Sequence, residues 1–175
     1  QSMLEDAILA AKAGEMGLER DRSRLSPQIT VDAPIMIPED YVPDLAVRMA
    51  LYRRLNDAES QAEIESLSAE MIDRFGPLPS PTENLVKLIE IKRQAIAANI
   101  AKIDVGPKGA LVSFHNDEFP EPAGLIAYAQ RLEGTIKLRP DNKLVVTRGW
   151  GDPKARLNGL VQLTKGLSGI VRKAA

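Results

Sequence analysis

Glu70, Asp73 and Arg74 stand at i, i+3 and i+4 and are followed at once by Phe75-Gly76-Pro77-Leu78-Pro79. At helical spacing the three side chains fall on one side of a helix that Gly76 and Pro77 then stop. Glycine takes the left-handed conformation a helix end often needs, and proline cannot continue the turn. Two carboxylates and a guanidinium held just before a rigid stop suit docking better than catalysis. Arg74 offers a planar fork to a partner carboxylate, and Glu70 and Asp73 can accept from partner arginines. The same residues also fit a solvated helix face in which Glu70 and Arg74 form a weak i, i+4 pair. Spacing alone leaves both readings open.

The remaining reactive groups form no constellation. His115, the one histidine, ends an apolar run and precedes Asn116-Asp117-Glu118. A general base needs a partner that fixes its tautomer and a group to activate, and no nucleophile accompanies it, so it reads as a turn histidine at the surface. Asp117, Glu118 and Glu121 lack the spaced carboxylates of a calcium loop and read as a solvated acidic turn. Gly149-Trp150-Gly151 would let a backbone approach an anion, but it lacks the lysine and hydroxyl of a phosphate loop. Trp150 there reads as a packing plug. No nucleotide-binding glycine motif and no nucleophile elbow occurs. The sequence predicts no catalytic residue, no cofactor site and no metal site in this chain.

Composition narrows the classes further. Of 175 residues, 44% are apolar and 27% charged, as in soluble globular proteins. Zero cysteines exclude disulfides and thiolate metal sites and fit a cytoplasmic setting. No apolar run approaches the ~20 residues of a membrane span, and no secretory signal opens the chain. The net charge of −1 hides an asymmetry. Residues 1–130 carry 13 Lys/Arg against 21 Asp/Glu, and residues 131–175 carry 10 against 3. Tyr52-Arg53-Arg54 and the basic C-terminal third could contact phosphates, so a nucleic-acid-binding module is the alternative reading. Against it stand few aromatics and an isoelectric point near 6.0, low for such a module.

The elements that would position these groups follow from periodicity. Leu4, Ala7, Ile8 and Ala11 make residues 2–13 an amphipathic helix, and the arginine-rich stretch to about residue 26 reads as a linker. Ile29 with Val31, and Ile35 with Ile37, alternate as short edge strands or extended pieces around Pro34 and Pro38. Asp44 caps a helix to about Asn56 with Leu45, Met49, Tyr52 and Leu55 inward. Ser60-Gln61-Ala62-Glu63 is a capping box opening a helix that buries Ile64, Leu67, Met71 and Phe75. Ser80-Pro81-Thr82-Glu83 reads as a second box, opening a helix to about Asn99 with Leu85, Leu88, Ile89 and Ile96 inward. Hairpins follow at 101–114 and 135–147. Between them Pro122 starts a short helix with Leu125, Ile126 and Ala129 inward, and Asp152-Pro153 opens a last helix. The fold class is therefore α+β: a helical arm and three helices, then two hairpins interleaved with two helices around one small sheet.

Three ordered motifs carry a family resemblance: Ile37-Pro38-Glu39-Asp40-Tyr41-Val42-Pro43-Asp44, Arg48-Met49-Ala50-Leu51-Tyr52-Arg53-Arg54-Leu55, and Glu70 through Pro79. Together they resemble the C-terminal domain of the bacterial transcription-repair coupling factors, with similarity from about Ser26 to Lys173. Met3-Leu4-Glu5-Asp6-Ala7 is similar to the helix ending that family's translocase module. The resemblance implies domains at 1–25, the arm and linker, and 26–175, the terminal domain. It implies a parent that is an ATP-dependent DNA translocase, displacing stalled RNA polymerase and recruiting excision repair. ATP and magnesium would belong to the parent's motors, and the contacts with DNA and RNA polymerase to other domains of the parent. The implied role of this domain is to pack on a UvrB-like module of the same polypeptide and cover its UvrA-binding surface. Carried over by motif, Glu70, Asp73 and Arg74 would be the interdomain contacts.

Overall fold

In a computed structural model the described residues are 26–132 and 134–174, so the helical arm and linker expected over 1–25 lie outside them. Of the described residues, Ala33–Glu90 form one compact unit, and the segment up to Asp32 with Ile91 onward forms another.

The first unit is helical. Helix α1 (Leu45–Asp57) starts where the Asp44 carboxylate accepts the Val47 N–H at 2.9 Å. Helix α2 (Gln61–Phe75) opens on the expected capping box. Ser60 Oγ accepts the Glu63 N–H at 3.2 Å, and the Glu63 carboxylate accepts the Glu59 N–H at 2.7 Å. Helix α3 (Ser80–Ala97) begins differently from the prediction. Thr82 and Glu83 donate their N–H groups to the Pro79 carbonyl at 3.0 and 2.9 Å, so no side-chain box forms at Ser80. The Thr82 hydroxyl instead donates to the Met36 carbonyl, and Asn84 donates to that of Pro34. Those bonds explain why Ile35–Ile37 is not a strand. The Met36 N–H goes to the Pro81 carbonyl and the Ile37 N–H to the Tyr52 hydroxyl, which leaves that backbone committed to helices.

Ile37, Val42, Leu51, Leu55, Leu67, Met71 and Leu85 make the core, with Phe75 partly buried against it. Leu45, expected inward, is 61% exposed, because the α1 core face centres on Leu51 and Leu55. Ile96 is exposed for a similar reason. Ile91, Gln94, Ala95 and Ala98 share the buried face of the chain there, and Ile96 falls outside it at ~100° per residue.

The second unit is built on a mixed sheet in the order β1-β2-β3-β5-β4. Strand β1 (Gln28–Thr30) is an edge strand parallel to β2 (Ile100–Gly106). Strands β2 and β3 (Gly109–Phe114) close the first hairpin around Pro107-Lys108. Gly109 sits at φ +133, and a Cβ there would overlap the Val146 carbonyl, so only glycine fits. Strands β4 (Ile136–Leu138) and β5 (Leu144–Thr147) form the second hairpin, and β5 pairs antiparallel with β3. Helix α4 (Pro122–Arg131) buries Leu125, whereas Ile126, expected inward, is 48% exposed. Helix α5 (Pro153–Ala174) is N-capped by Asp152, whose carboxylate accepts the Ala155 N–H at 2.8 Å. It buries Leu157, Leu160, Leu163 and Leu167. Among the described residues, five α-helices and one small sheet give the α+β class expected from the sequence.

Candidate functional site: the α2 terminus

The stop that ends α2 is fixed from two directions. Gly76 has φ +93 and donates its N–H to the Ile72 carbonyl at 2.9 Å. The Tyr41 hydroxyl donates to the Gly76 carbonyl at 2.7 Å, and the Tyr41 ring meets Phe75 edge-on at 5.8 Å. The last turn of α2, which carries Asp73 and Arg74, is thereby held against the core.

The structure brings the three predicted residues together but does not treat them alike. Glu70 is gripped across helices by Arg54 of α1, through bonds of 2.5 Å from Nη1 and 3.1 Å from Nη2. Arg74 adds a longer approach of 3.6 Å to the same carboxylate. The hydrogen bond from Arg54 holds the Glu70 carboxyl below its ordinary value, and the charges of Arg54 and Arg74 reinforce it against partial desolvation. Arg54 rises correspondingly, chiefly through the Glu70 hydrogen bond. The Arg74 guanidinium lies 4.9 Å from the Phe75 ring centroid, a cation–π arrangement that sets its orientation. Asp73 is exposed and has no ion pair among the described residues.

Sequence reasoning missed two neighbours. Arg54 was read as a phosphate contact, and no spacing signal links it to Glu70, because the pair crosses from one helix to another. Ile72 is 48% exposed although apolar. That could have been found on the helical projection, where Ile72 falls beside the core stripe rather than within it. On the side away from the core, Ala62, Ser66, Ala69 and Asp73 follow one another at i, i+4, i+3 and i+4, all exposed. A ridge of short side chains lets another surface come close before it meets Asp73 and Ile72.

Elsewhere Trp150 is the packing plug expected from the sequence, whereas His115, expected as a turn histidine at the surface, is partly buried. Trp150 is 7% exposed and packs against Gly159, with its backbone N–H donating to the Pro107 carbonyl and its own carbonyl accepting from Arg156. His115 sits in a single 3-10 turn, half-buried, with Nε2 buried and without a hydrogen-bond partner. Asp117 and Glu118 beside it are exposed. Among the described residues no group of three or more His, Cys, Asp or Glu side chains could hold a metal ion, and no helix is long and apolar enough to cross a membrane.

With the geometry in place, comparison with known proteins is decisive. The family model for the TRCF domain matches residues 31–125. The chain belongs to the TRCF domain family. It is 28% identical over 165 residues to the transcription-repair-coupling factor of Escherichia coli (strain K12), covering 94% of this chain and 14% of that protein. It is 34% identical over 146 residues to the transcription-repair-coupling factor of Rickettsia prowazekii (strain Madrid E), covering 83% of this chain and 13% of that protein. The chain thus spans about one seventh of the length of these relatives. A crystal structure of the C-terminal domain of a transcription-repair coupling factor shares the fold, with a TM-score of 0.71 at 16% identity. The match covers 86% of this chain and 96% of that one. The TRCF match takes in α1, α2 and the whole Glu70–Pro79 run.

Proposed function

We propose that this chain is a non-catalytic regulatory domain of a transcription-repair coupling factor. In this reading the whole protein is an ATP-dependent DNA translocase that displaces stalled RNA polymerase and recruits excision repair. The domain packs on the UvrB-like module of the same polypeptide and masks its UvrA-binding surface. Glu70, Asp73 and Arg74 are the contacts. ATP and magnesium act in the motor modules and not here.

The observation that supports this most is the contrast inside the cluster. Asp73, with no ion pair among the described residues, stands on a ridge of small side chains beside exposed Ile72, while Arg54 and Phe75 hold Glu70 and Arg74 in set positions. Prepositioned charges next to an open carboxylate and one apolar side chain make a small, mostly polar docking face. Such a face binds weakly between free partners. Tethering within one polypeptide raises the effective concentration enough to keep it closed, and a large conformational change can still open it.

The test is the triple variant Glu70→Ala, Asp73→Ala, Arg74→Ala in the full-length protein, with UvrA binding measured by surface plasmon resonance. Circular dichroism should remain that of wild type, and UvrA affinity should rise by about tenfold or more, as expected when an intramolecular competitor is removed. A folded triple variant that binds UvrA no better than wild type rules the assignment out.

A further inference from the structure

Helix α5 has 22 residues and contains no aspartate or glutamate. Its exposed positions, Lys154, Asn158, Gln162, Lys165 and Arg172, recur at intervals of four, four, three and seven. They form a single stripe opposite the buried leucines. Lys173 adjoins the stripe. None of the four cations makes an ion pair with any described residue.

Arg172 is the anchor of this stripe, and neutral groups hold it in place. Its Nη2 donates to Gln94 Oε1 at 2.9 Å and to Ser168 Oγ at 2.7 Å. Ser168 in turn donates to the same Gln94 oxygen at 2.5 Å. Ser168 is fully buried and Gln94 is 5% exposed, so this is a built polar network and not a chance surface contact. Both hydrogens of Nη2 are used, which leaves the two on Nη1 and the one on Nε for an outside acceptor. Arg93, next to Gln94 on α3, has its Nε buried with no acceptor among the described residues. Gly169 lies between Lys165 and Arg172 with nothing within 4 Å of where a Cβ would stand, so a partner backbone can approach there.

We propose that the outer stripe of α5 docks an acidic helix of a partner protein, with Arg172 receiving a carboxylate on its free edge. The spacing favours protein over nucleic acid. At ~1.5 Å per residue, Lys154 lies ~16 Å from Lys165, and Lys165 ~10 Å from Arg172 along the axis. That is sparse beside one phosphate per ~3.4 Å of each DNA strand, but it matches glutamates 11 and 7 residues apart on an antiparallel helix. No aromatic side chain lies on the stripe to stack a base.

Fluorescence anisotropy with the 175-residue chain tests this, using three probes. One is an alanine-based helical peptide with glutamates at those spacings, another the same peptide with glutamines, and the third a short DNA duplex. The glutamate peptide should bind with a dissociation constant below ~1 mM and about tenfold or more tighter than its glutamine counterpart. Lys165→Gln and Arg172→Gln should each weaken it severalfold. Arg172→Gln also disturbs the Gln94–Ser168 pair. The Lys165 side chain is exposed and has no ion pair among the described residues, so Lys165→Gln tests the surface without that complication. The proposal is overturned if the glutamate peptide fails to bind at ~1 mM or if Lys165→Gln leaves its affinity unchanged. Tighter binding of the duplex, with a steep fall in salt, would overturn it equally.

Discussion

The two units of this chain use charge in opposite ways. In the Ala33–Glu90 unit, Arg54 and Arg74 converge on Glu70, while the neighbouring Asp73 has no ion pair among the described residues. In the unit containing Ile91 onward, Arg172 is steadied by an amide and a hydroxyl, and the five cations of α5 have no described counter-ion. A guanidinium paired with a carboxylate is scaffolding that fixes the shape of a surface. A guanidinium held by neutral acceptors keeps its charge available to a partner. On the proposed readings, the first arrangement suits a discriminating contact through an open carboxylate, and the second a general attraction for acid. The cores differ as well: helix on helix around Met71 in one, and a five-stranded sheet with its helices in the other.

The comparison breaks if the units do not behave as separate bodies, and a core truncation tests this with the largest effect. Met71 is fully buried in the helical core, so Met71→Ala should cost ~2–5 kcal/mol through lost burial and the cavity left behind. Hydrogen exchange should show protection falling across α1 and α2 while the β2–β3 amides keep theirs. Equal losses in both regions would mean one cooperative unit, with no meaning left in a contrast between two.

Within α5 a pair of glycine substitutions should give opposite signs. A Cβ at Gly159 would overlap the Trp150 indole, which is buried and tied through its backbone to Pro107 and Arg156. Gly159→Ala should therefore destabilise by ~1–3 kcal/mol despite the better helix propensity of alanine. Gly169 meets nothing, so Gly169→Ala should stabilise by ~0.5–1 kcal/mol. Thermal melts of the two variants would show it. The Gly169 variant also sharpens the docking proposal, because a more stable helix that binds the acidic peptide less well would indicate close backbone approach at that point.

How much of this was legible in the sequence depended on how local the cause was. The Asp44 cap, the Ser60–Glu63 box, the Gly76 stop and the Gly106–Gly109 hairpin all rest on interactions within a few residues, and all were read correctly. Ser80 was misread because its helix start is decided by the Pro79 carbonyl, and because Thr82 is drawn to Met36, 46 residues away. Ile96 and Ile126 were placed inward by spacing alone, and their helices present neighbouring faces to the core. At the candidate site the spacing located Glu70, Asp73 and Arg74 but gave no hint of Arg54, whose partner lies on the next helix. The family resemblance offered the three residues as candidate contacts, and only the packing of α1 on α2 separates the held carboxylate from the open one.

That separation yields the smallest and most specific prediction. Arg54 is the leading cause of the low Glu70 pKa, with Arg74 a lesser one at 3.6 Å. A carboxyl whose folded pKa is depressed adds stability above its unfolded pKa. That contribution is lost as pH falls through the folded value. It should therefore fade below the ordinary glutamate value of 4.5, and only slightly, because Glu70 is solvent-screened. Carbon-13 titration of the Glu70 carboxyl should show its pKa rising toward 4.5 in Arg54→Ala and rising less in Arg74→Ala. Equal rises would mean that Arg54 does not grip Glu70 in solution. The cluster would then be three mobile charges of equal standing, and the proposed distinction between a held Glu70 and an open Asp73 would be lost.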